Sequence, residues 1–148
     1  MDGMEQAFDD SMARKLVARA LAAKERAYAP YSRFRVGAAV LAASGEMYDG
    51  ANVENASYPA GICAERAAIA RAVSDGERRL VAIAVCGGPD GPAKDYCFPC
   101  GVCRQVMREF CAPDGFRVIV ARSPGDFKVF TLAGLLPESF GPDMLQGR

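Results

Sequence analysis

The cysteine pattern of this 148-residue chain restricts its fold more than any other feature. Cys63-Ala64-Glu65 is answered later by Cys100-Gly101-Val102-Cys103, and each segment stands where the residue pattern predicts the start of a helix. A CxxC pair across a helix N-terminus brings both sulfurs to one side of the first turn, which makes a bidentate metal clamp. If the three thiols share one metal ion, two helix N-termini must meet.

The absence of histidine limits the chemistry further, because the chain has six cysteines and no histidine. Nucleophile pairs of the Ser/His or Cys/His type are excluded, and any zinc ion must be held by sulfur and oxygen ligands. Three protein ligands with an open position are typical of catalytic zinc, and four of structural zinc. We expect Cys63, Cys100 and Cys103 to bind the ion. A fourth ligand stays possible from the remaining cysteines, Cys86, Cys97 and Cys111.

Glu65 favours the catalytic alternative. It follows Cys63 by two residues in the same predicted helical turn, so its carboxylate is expected near the open metal position. An acid there can take a proton from water and return it to a leaving group. Arg66 is expected to donate hydrogen bonds to the thiolates. The alternative for Arg66 is a solvated arginine on the helix surface. The alternative for Cys100 and Cys103 is a redox-active dithiol instead of a metal clamp.

Composition predicts a single globular domain over residues 1–148, with a flexible N-terminus over residues 1–10. Basic and acidic residues number 18 each, so charge gives no reason to expect a nucleic-acid polymer or an anionic membrane as partner. No apolar run is long enough to span a bilayer, and the acidic N-terminus argues against a secretory signal. We therefore expect a cytoplasmic protein.

Hydrophobic periodicity predicts an α/β fold with a central sheet and helices on both faces. The predicted segments are helix 11–28, strands 36–42 and 47–53, helix 63–73, strand 80–86, helix 101–110, strands 117–121 and 128–131, and helix 132–136 before an irregular end. The uninterrupted apolar run 80–86 indicates a central strand covered on both faces. Lys24 is assigned to the polar face of the first helix. Val102, Val106 and Phe110 are assigned to the inner face of the third.

These residues resemble the Cys₃ form of the zinc deaminase signature, Cys-Ala-Glu followed by Pro-Cys-x-x-Cys. The flanking segments are similar to those of the small homotetrameric cytidine deaminases over about the whole chain past Met12. They are residues 30–39, 52–58, 100–106 and 135–140. Phe98 stands where that family commonly has serine, and Ser57 stands where some members have cysteine.

The resemblance implies a three-layer α/β/α sandwich with a mixed five-stranded sheet. It also implies hydrolytic deamination of cytidine and 2′-deoxycytidine to uridine and 2′-deoxyuridine, with release of ammonia, in pyrimidine salvage. One Zn²⁺ per chain on Cys63, Cys100 and Cys103 would activate water, and Glu65 would shuttle protons.

The resemblance also assigns a pocket for a small-molecule nucleoside. Asn52 and Glu54 match the residues that hold the ribose 3′-hydroxyl group, although from spacing alone a plain strand-to-loop transition is favoured. Phe34 would pack on the base. The other predicted contacts are Ala64, Tyr58 and Phe140. Family members complete the pocket across a subunit interface. Tyr58 and Phe140 are therefore expected to reach the pocket from neighbouring chains of a homotetramer.

Besides the redox dithiol and a polynucleotide-editing deaminase, which the lack of an excess of basic residues disfavours, two other functions compete with cytidine deamination. The nearer is a deaminase of the same fold that acts on a different pyrimidine-like nucleoside, such as the antibiotic blasticidin S. The other is a non-enzymatic protein with a structural zinc ion, which would not need Glu65.

Overall fold

The apolar run that begins at Leu80 forms the middle strand of a five-stranded sheet, in the computed structural model that describes residues 8–146. The strands are β1 (Arg35–Ala42), β2 (Met47–Ala51), β3 (Leu80–Gly88), β4 (Arg117–Ser123) and β5 (Asp126–Thr131). Their order is β2-β1-β3-β4-β5. β3 and β4 pair parallel, and the other neighbours pair antiparallel. The predicted mixed five-stranded sheet is therefore confirmed.

Helices cover both faces of the sheet. They are α1 (Asp10–Lys24), α2 (Ala64–Ser74), α3 (Gly101–Glu109), α4 (Leu132–Leu135) and α5 (Pro142–Gln146), with a 3₁₀ turn at Tyr58–Ala60. Alternate residues of a strand point to opposite faces. Leu41 and Ala84 accordingly pack with α1, whereas Val40 and Ile83 pack with α2 and α3 on the other side. This arrangement confirms the three-layer sandwich.

The first helix is capped by Asp9 and begins at Asp10, one residue before the predicted start. The side chain of Asp9 accepts a hydrogen bond from the backbone N–H of Met12 at 3.0 Å. Asp10, assigned from the sequence to a flexible N-terminus, is the first residue of α1, and residues 1–7 of that segment lie outside the described range. At its other end α1 stops at Lys24, four residues before the predicted end.

Lys24 does not lie on a polar surface, and that assignment was wrong. It is only 4% exposed, and its Nζ donates a hydrogen bond to the carbonyl of Gly91 at 3.0 Å. The cause is the close approach of α1 to β1 at Gly37, where a Cβ atom would lie 2.4 Å from the backbone nitrogen of Lys24. Because α1 lies so close to the sheet at this point, the Lys24 side chain is buried along its path to the loop that carries Gly91.

The inner face of α3 also differs from the prediction. Cys103 and Met107, four residues apart, are fully buried, whereas Val102 is 59% exposed. Val106 and Phe110 are half-buried against the same core. Because Cys103 faces the start of α2, the rotation of α3 about its own axis is fixed. In this orientation Val102 points outward.

The C-terminal region contains one more helix than predicted. α4 matches the expected short helix, but residues 142–146 form α5 where an irregular end was expected. No helix between residues 8 and 146 has the length and apolarity needed to cross a bilayer.

Candidate metal and catalytic site

Three thiols meet where the N-termini of α2 and α3 approach each other. Cys63 is the N-cap of α2, Cys100 is the N-cap of α3, and Cys103 lies buried in the first turn of α3. Their sulfur atoms all lie within 4.8 Å of one another, and those of Cys63 and Cys100 are 3.9 Å apart. Tetrahedral zinc with bonds of about 2.3 Å to sulfur places its ligands about 3.8 Å apart. The donor set therefore fits one zinc ion.

Within residues 8–146, no other cysteine, aspartate or glutamate joins this cluster. Cys86 is buried in the core under α1, and Cys111 packs against the core on the opposite face. Cys97 is half-buried at the side of the cleft described below. A four-cysteine structural site is therefore not formed. Three sulfurs with room for a further ligand are the arrangement of catalytic zinc sites.

Positive charge surrounds the sulfurs. Nη2 of Arg66 donates a hydrogen bond to Sγ of Cys63 at 3.5 Å, as predicted, and both helix N-termini face the cluster. Hydrogen bonds from the Cys103 thiol, then from Arg66 and Cys100, lower the pKa of Cys63 to about 5. The bond to Cys63 and burial raise the pKa of Cys103. The thiolate form of Cys63, which is the form that binds a metal ion, is thus stabilised in the absence of metal.

Glu65 lies in the first turn of α2 and is 3% exposed. Burial, reinforced by the nearby charge of Cys63, raises the pKa of Glu65 to about 7. A carboxyl group with such a pKa can both release and accept a proton near neutral pH. This is the property required of a group that moves protons between water and a leaving group.

A cleft of about 510 Å³ opens beside the sulfurs. The predicted site residues along it are Phe34, Asn52, Glu54, Tyr58, Cys63, Ala64, Glu65, Arg66 and Cys100. Cys103 lies behind the cleft in the core. Phe140 is 54% exposed and lies outside the cleft of its own chain, where its carbonyl accepts a hydrogen bond from Gln105 at 2.9 Å. Tyr58, expected from a neighbouring chain, lines the cleft of its own chain.

Asn52 joins the end of β2 to the beginning of β1. Its Oδ1 accepts a hydrogen bond from the backbone N–H of Val36 at 2.9 Å, and its Nδ2 donates one to the carbonyl of Phe34 at 2.8 Å. Both polar atoms of the amide are therefore engaged, and the bonds fix the backbone of Phe34 beside the cleft. The sequence alone did not indicate this structural role.

The Glu54 carboxylate is held by the loop that precedes β1. One oxygen accepts hydrogen bonds from the backbone N–H groups of Tyr31 and Ser32, at 3.0 and 3.1 Å, and the hydroxyl of Ser32 donates to the other oxygen. The hydroxyl bond, followed by the backbone bonds, lowers the pKa of Glu54. An ionised carboxylate is thus fixed in the part of the cleft that adjoins a second cavity, which is lined by Tyr31, Ser32 and Tyr58 and by none of the cysteines.

Seven residues of the cleft were not assigned to the site from the sequence, and those with reactive, polar or aromatic side chains are Ser32, Cys97 and Phe98. Ser32 appeared only within a loop, and Cys97 only as an additional thiol. Phe98 was noted as a departure from the family pattern. Their position in the sequence could have indicated that Cys97 and Phe98 lie near the site, because both directly precede Pro99 and Cys100, the N-cap of α3.

Comparisons with known proteins agree with this geometry. Residues 10–119 match the family described as the cytidine and deoxycytidylate deaminase zinc-binding region. A cytidine deaminase of Sporosarcina psychrophila is 46% identical over 131 residues, which cover 88% of this chain and 93% of the relative. One from Mycobacterium tuberculosis is 41% identical over 119 residues, covering 80% and 82%.

A solved structure extends the agreement to three dimensions. The crystal structure of cytidine deaminase from Burkholderia pseudomallei has a TM-score of 0.75 and 45% sequence identity, and the match covers 85% of this chain and 97% of that one. The matched family region contains all three sulfur ligands and Glu65, and the sulfurs have the spacing that zinc requires. The chain therefore belongs to the cytidine and deoxycytidylate deaminase family of zinc-binding enzymes.

Proposed function

We propose that this chain hydrolyses cytidine and 2′-deoxycytidine to uridine and 2′-deoxyuridine, with release of ammonia, as a step of pyrimidine salvage. The observation that carries the proposal is the buried Glu65 next to a three-sulfur zinc site, at the end of a cleft of about 510 Å³. This volume falls within the range of small-molecule sites. The related cytidine deaminases support the choice of base.

The catalytic roles follow from the chemistry of the side chains. Cys63, Cys100 and Cys103 hold one zinc ion, which supplies Lewis-acid activation of water when bound. Glu65 would accept a proton from the attacking water and pass it to N3 of the base, and it would then take the proton of the hydroxyl group formed on C4 and pass it to the departing amine. In the metal-free protein, burial raises the pKa of this carboxyl group toward neutrality, which suits both directions of transfer. Arg66 reduces the excess negative charge of three thiolates around a divalent ion.

The opposite end of the cleft binds the sugar. Glu54 is ionised, and its carboxylate accepts a hydrogen bond from the ribose 3′-hydroxyl group. The same charge repels a phosphate, which favours free nucleosides over nucleotides and polymers. Asn52 holds the backbone of Phe34, so that the Phe34 ring packs on the base. Ala64 and Tyr58 also line this chain's pocket.

We propose a homotetramer of single-domain chains in the cytoplasm. Large aromatic side chains at and near the cleft support assembly, because Tyr58 is 76% exposed and Phe140 is 54% exposed. In the tetramer Phe140 and the Tyr58 region contribute to the pockets of neighbouring chains. Light scattering coupled to size-exclusion chromatography tests the assembly, and a monomer with full activity would contradict it.

An ultraviolet assay tests the reaction. Zinc-loaded protein is incubated with cytidine, 2′-deoxycytidine and blasticidin S, with and without a zinc chelator. We expect turnover of both cytidine nucleosides, loss of turnover after chelation, and recovery when zinc is returned. Absence of cytidine turnover by protein with stoichiometric zinc would refute the proposal, and turnover of blasticidin S alone would assign the rival substrate.

A further inference from the structure

Phe98 forms part of the cleft wall at the sulfur end. It precedes Cys100 by two residues, and both side chains line the cleft. Its ring is 44% exposed, so part of its surface is available to a bound molecule. The sugar-end groups Asn52 and Glu54 come from a different segment, which follows β2. A ligand that spans the cleft therefore meets Phe98 at its reacting end.

The ring of Phe98 is fixed from behind by β5. Its centre lies 5.4 Å from that of Phe130, and the two planes are inclined at 62°, which is the edge-to-face arrangement that aromatic pairs favour. Such pairs contribute about 0.5–1.5 kcal/mol beyond their burial. Phe130 itself does not line the cleft. It therefore supports the Phe98 ring without contacting the ligand.

The backbone on either side of Phe98 is also held. The hydroxyl of Tyr96 donates to the carboxylate of Asp126, and Nζ of Lys128 lies 4.7 Å from the centre of the Tyr96 ring. On the other side, the carbonyl of Pro99 accepts a hydrogen bond from Arg104 at 2.8 Å. Together with the Phe130 ring, these contacts hold Phe98 in the cleft wall.

We propose that Phe98 is a specificity-determining residue, whose ring limits the size of the group carried on C5 of the pyrimidine. The inference rests on the proposed function, which puts the amino-bearing carbon C4 at the sulfur end. C4 has two ring neighbours, the nitrogen N3 and the carbon C5. N3 carries no substituent in a cytidine nucleoside, so a wall at this end discriminates between substrates through the substituent on C5.

The test compares kcat/KM for 5-methylcytidine and cytidine. A pocket that excludes one methyl group discriminates by about 10–200-fold. We therefore expect Phe98→Ala to raise the ratio of the two kcat/KM values by about tenfold or more. Phe130→Leu should raise it less, because the ring of Phe98 remains but loses its support. Val129→Ala, in the same strand and outside the cleft, is the matched control and should leave the ratio unchanged.

A ratio within twofold of wild type in zinc-loaded Phe98→Ala would overturn the proposal. So would an equal fall of kcat/KM for both substrates, which is the signature of a purely structural role. If Phe98→Ala fails to fold or to retain zinc, Phe98→Leu replaces it: a smaller rise in the ratio supports the proposal, and an unchanged ratio overturns it. Absence of cytidine turnover in the wild type is a distinct result, because it refutes the proposed function itself.

Discussion

Replacing Glu65 with glutamine separates proton transfer from metal binding. Glu65 is not part of the sulfur cluster, so the variant should retain about one zinc ion per chain. Glutamine has nearly the same shape as a protonated glutamate, and the site is 3% exposed, so packing is preserved. The amide cannot carry a proton between water and base, and loss of a general acid–base typically lowers kcat by about 10²–10⁴-fold.

The burial of the carboxyl group sets the effect on stability. Without zinc, burial raises the pKa of Glu65 from 4.5 to about 7, and at about 1.4 kcal/mol per pH unit this corresponds to about 3 kcal/mol. The protonated carboxyl group is the form that the buried site favours. The stability that this form contributes is fully present below pH 4.5, and it is lost as the group ionises when the pH rises through about 7. Glutamine does not ionise. Zinc-free Glu65→Gln should therefore match wild type near pH 4 and exceed it at pH 8, by at most about 3 kcal/mol.

The assay combines three measurements on wild type, Glu65→Gln and the exposed control Glu46→Gln. Zinc is measured by emission spectroscopy, deamination by ultraviolet absorbance, and the free energy of unfolding by urea titration of chelated protein. The control should behave as wild type in all three. Retention of more than a tenth of wild-type kcat by zinc-loaded Glu65→Gln would refute the proton-shuttle role. Loss of zinc would show that the carboxylate binds the metal.

Three further perturbations test the metal site and the packing. Cys100→Ser should reduce zinc to less than a tenth of an ion per chain, whereas Cys111→Ser should retain it; equal zinc in both would refute the ligand assignment. Gly37→Ala should destabilise the fold by about 3 kcal/mol or more, because its Cβ would lie 2.0 Å from a carbonyl oxygen of α1. At Gly125 no atom would lie within 4 Å of an added Cβ, so Gly125→Ala should leave the urea midpoint nearly unchanged. Equal urea midpoints for Gly37→Ala and Gly125→Ala would contradict the packing argument. Asp49→Asn should cost about 1–2 kcal/mol at low salt and less at high salt, because three arginines donate to a carboxylate that is 13% exposed; a salt-independent midpoint would argue against this.

The zinc ligands could be predicted because their geometry is mostly local. The Cys100-x-x-Cys103 spacing places both sulfurs at one helix start, and the two-residue step from Cys63 to Glu65 spans less than one turn. Helix and strand types were also predictable wherever hydrophobic periodicity extended over many residues. The ends of elements were less predictable. α1 stops at Lys24, and the chain then pairs Tyr28 with Val53 beyond the end of β2, a long-range contact that the sequence does not reveal.

The cleft required long-range contacts that spacing does not encode. Val102 was assigned to the core because it fits a four-residue repeat, but the burial of Cys103 fixes the rotation of α3 and turns Val102 outward. Phe98 gains its position from Phe130, which lies 32 residues later in the sequence. The resemblance matched Asn52 to a residue that holds the ribose, and the structure adds hydrogen bonds from both ends of its amide to the backbone around β1, which spacing did not indicate.

The chemistry available to this protein follows from its side chains alone. The absence of histidine, the three thiols at predicted helix starts and one acid in the same turn allow a sulfur-bound zinc ion beside a proton carrier. The tertiary structure decided whether these groups meet. It brings two helix N-termini together so that three sulfurs lie within 4.8 Å, and it buries Glu65 enough to raise its pKa to about 7. Side-chain identity is a property of the chain, whereas distance and solvation are set only when β3 and its neighbours assemble the sheet on which both helices pack.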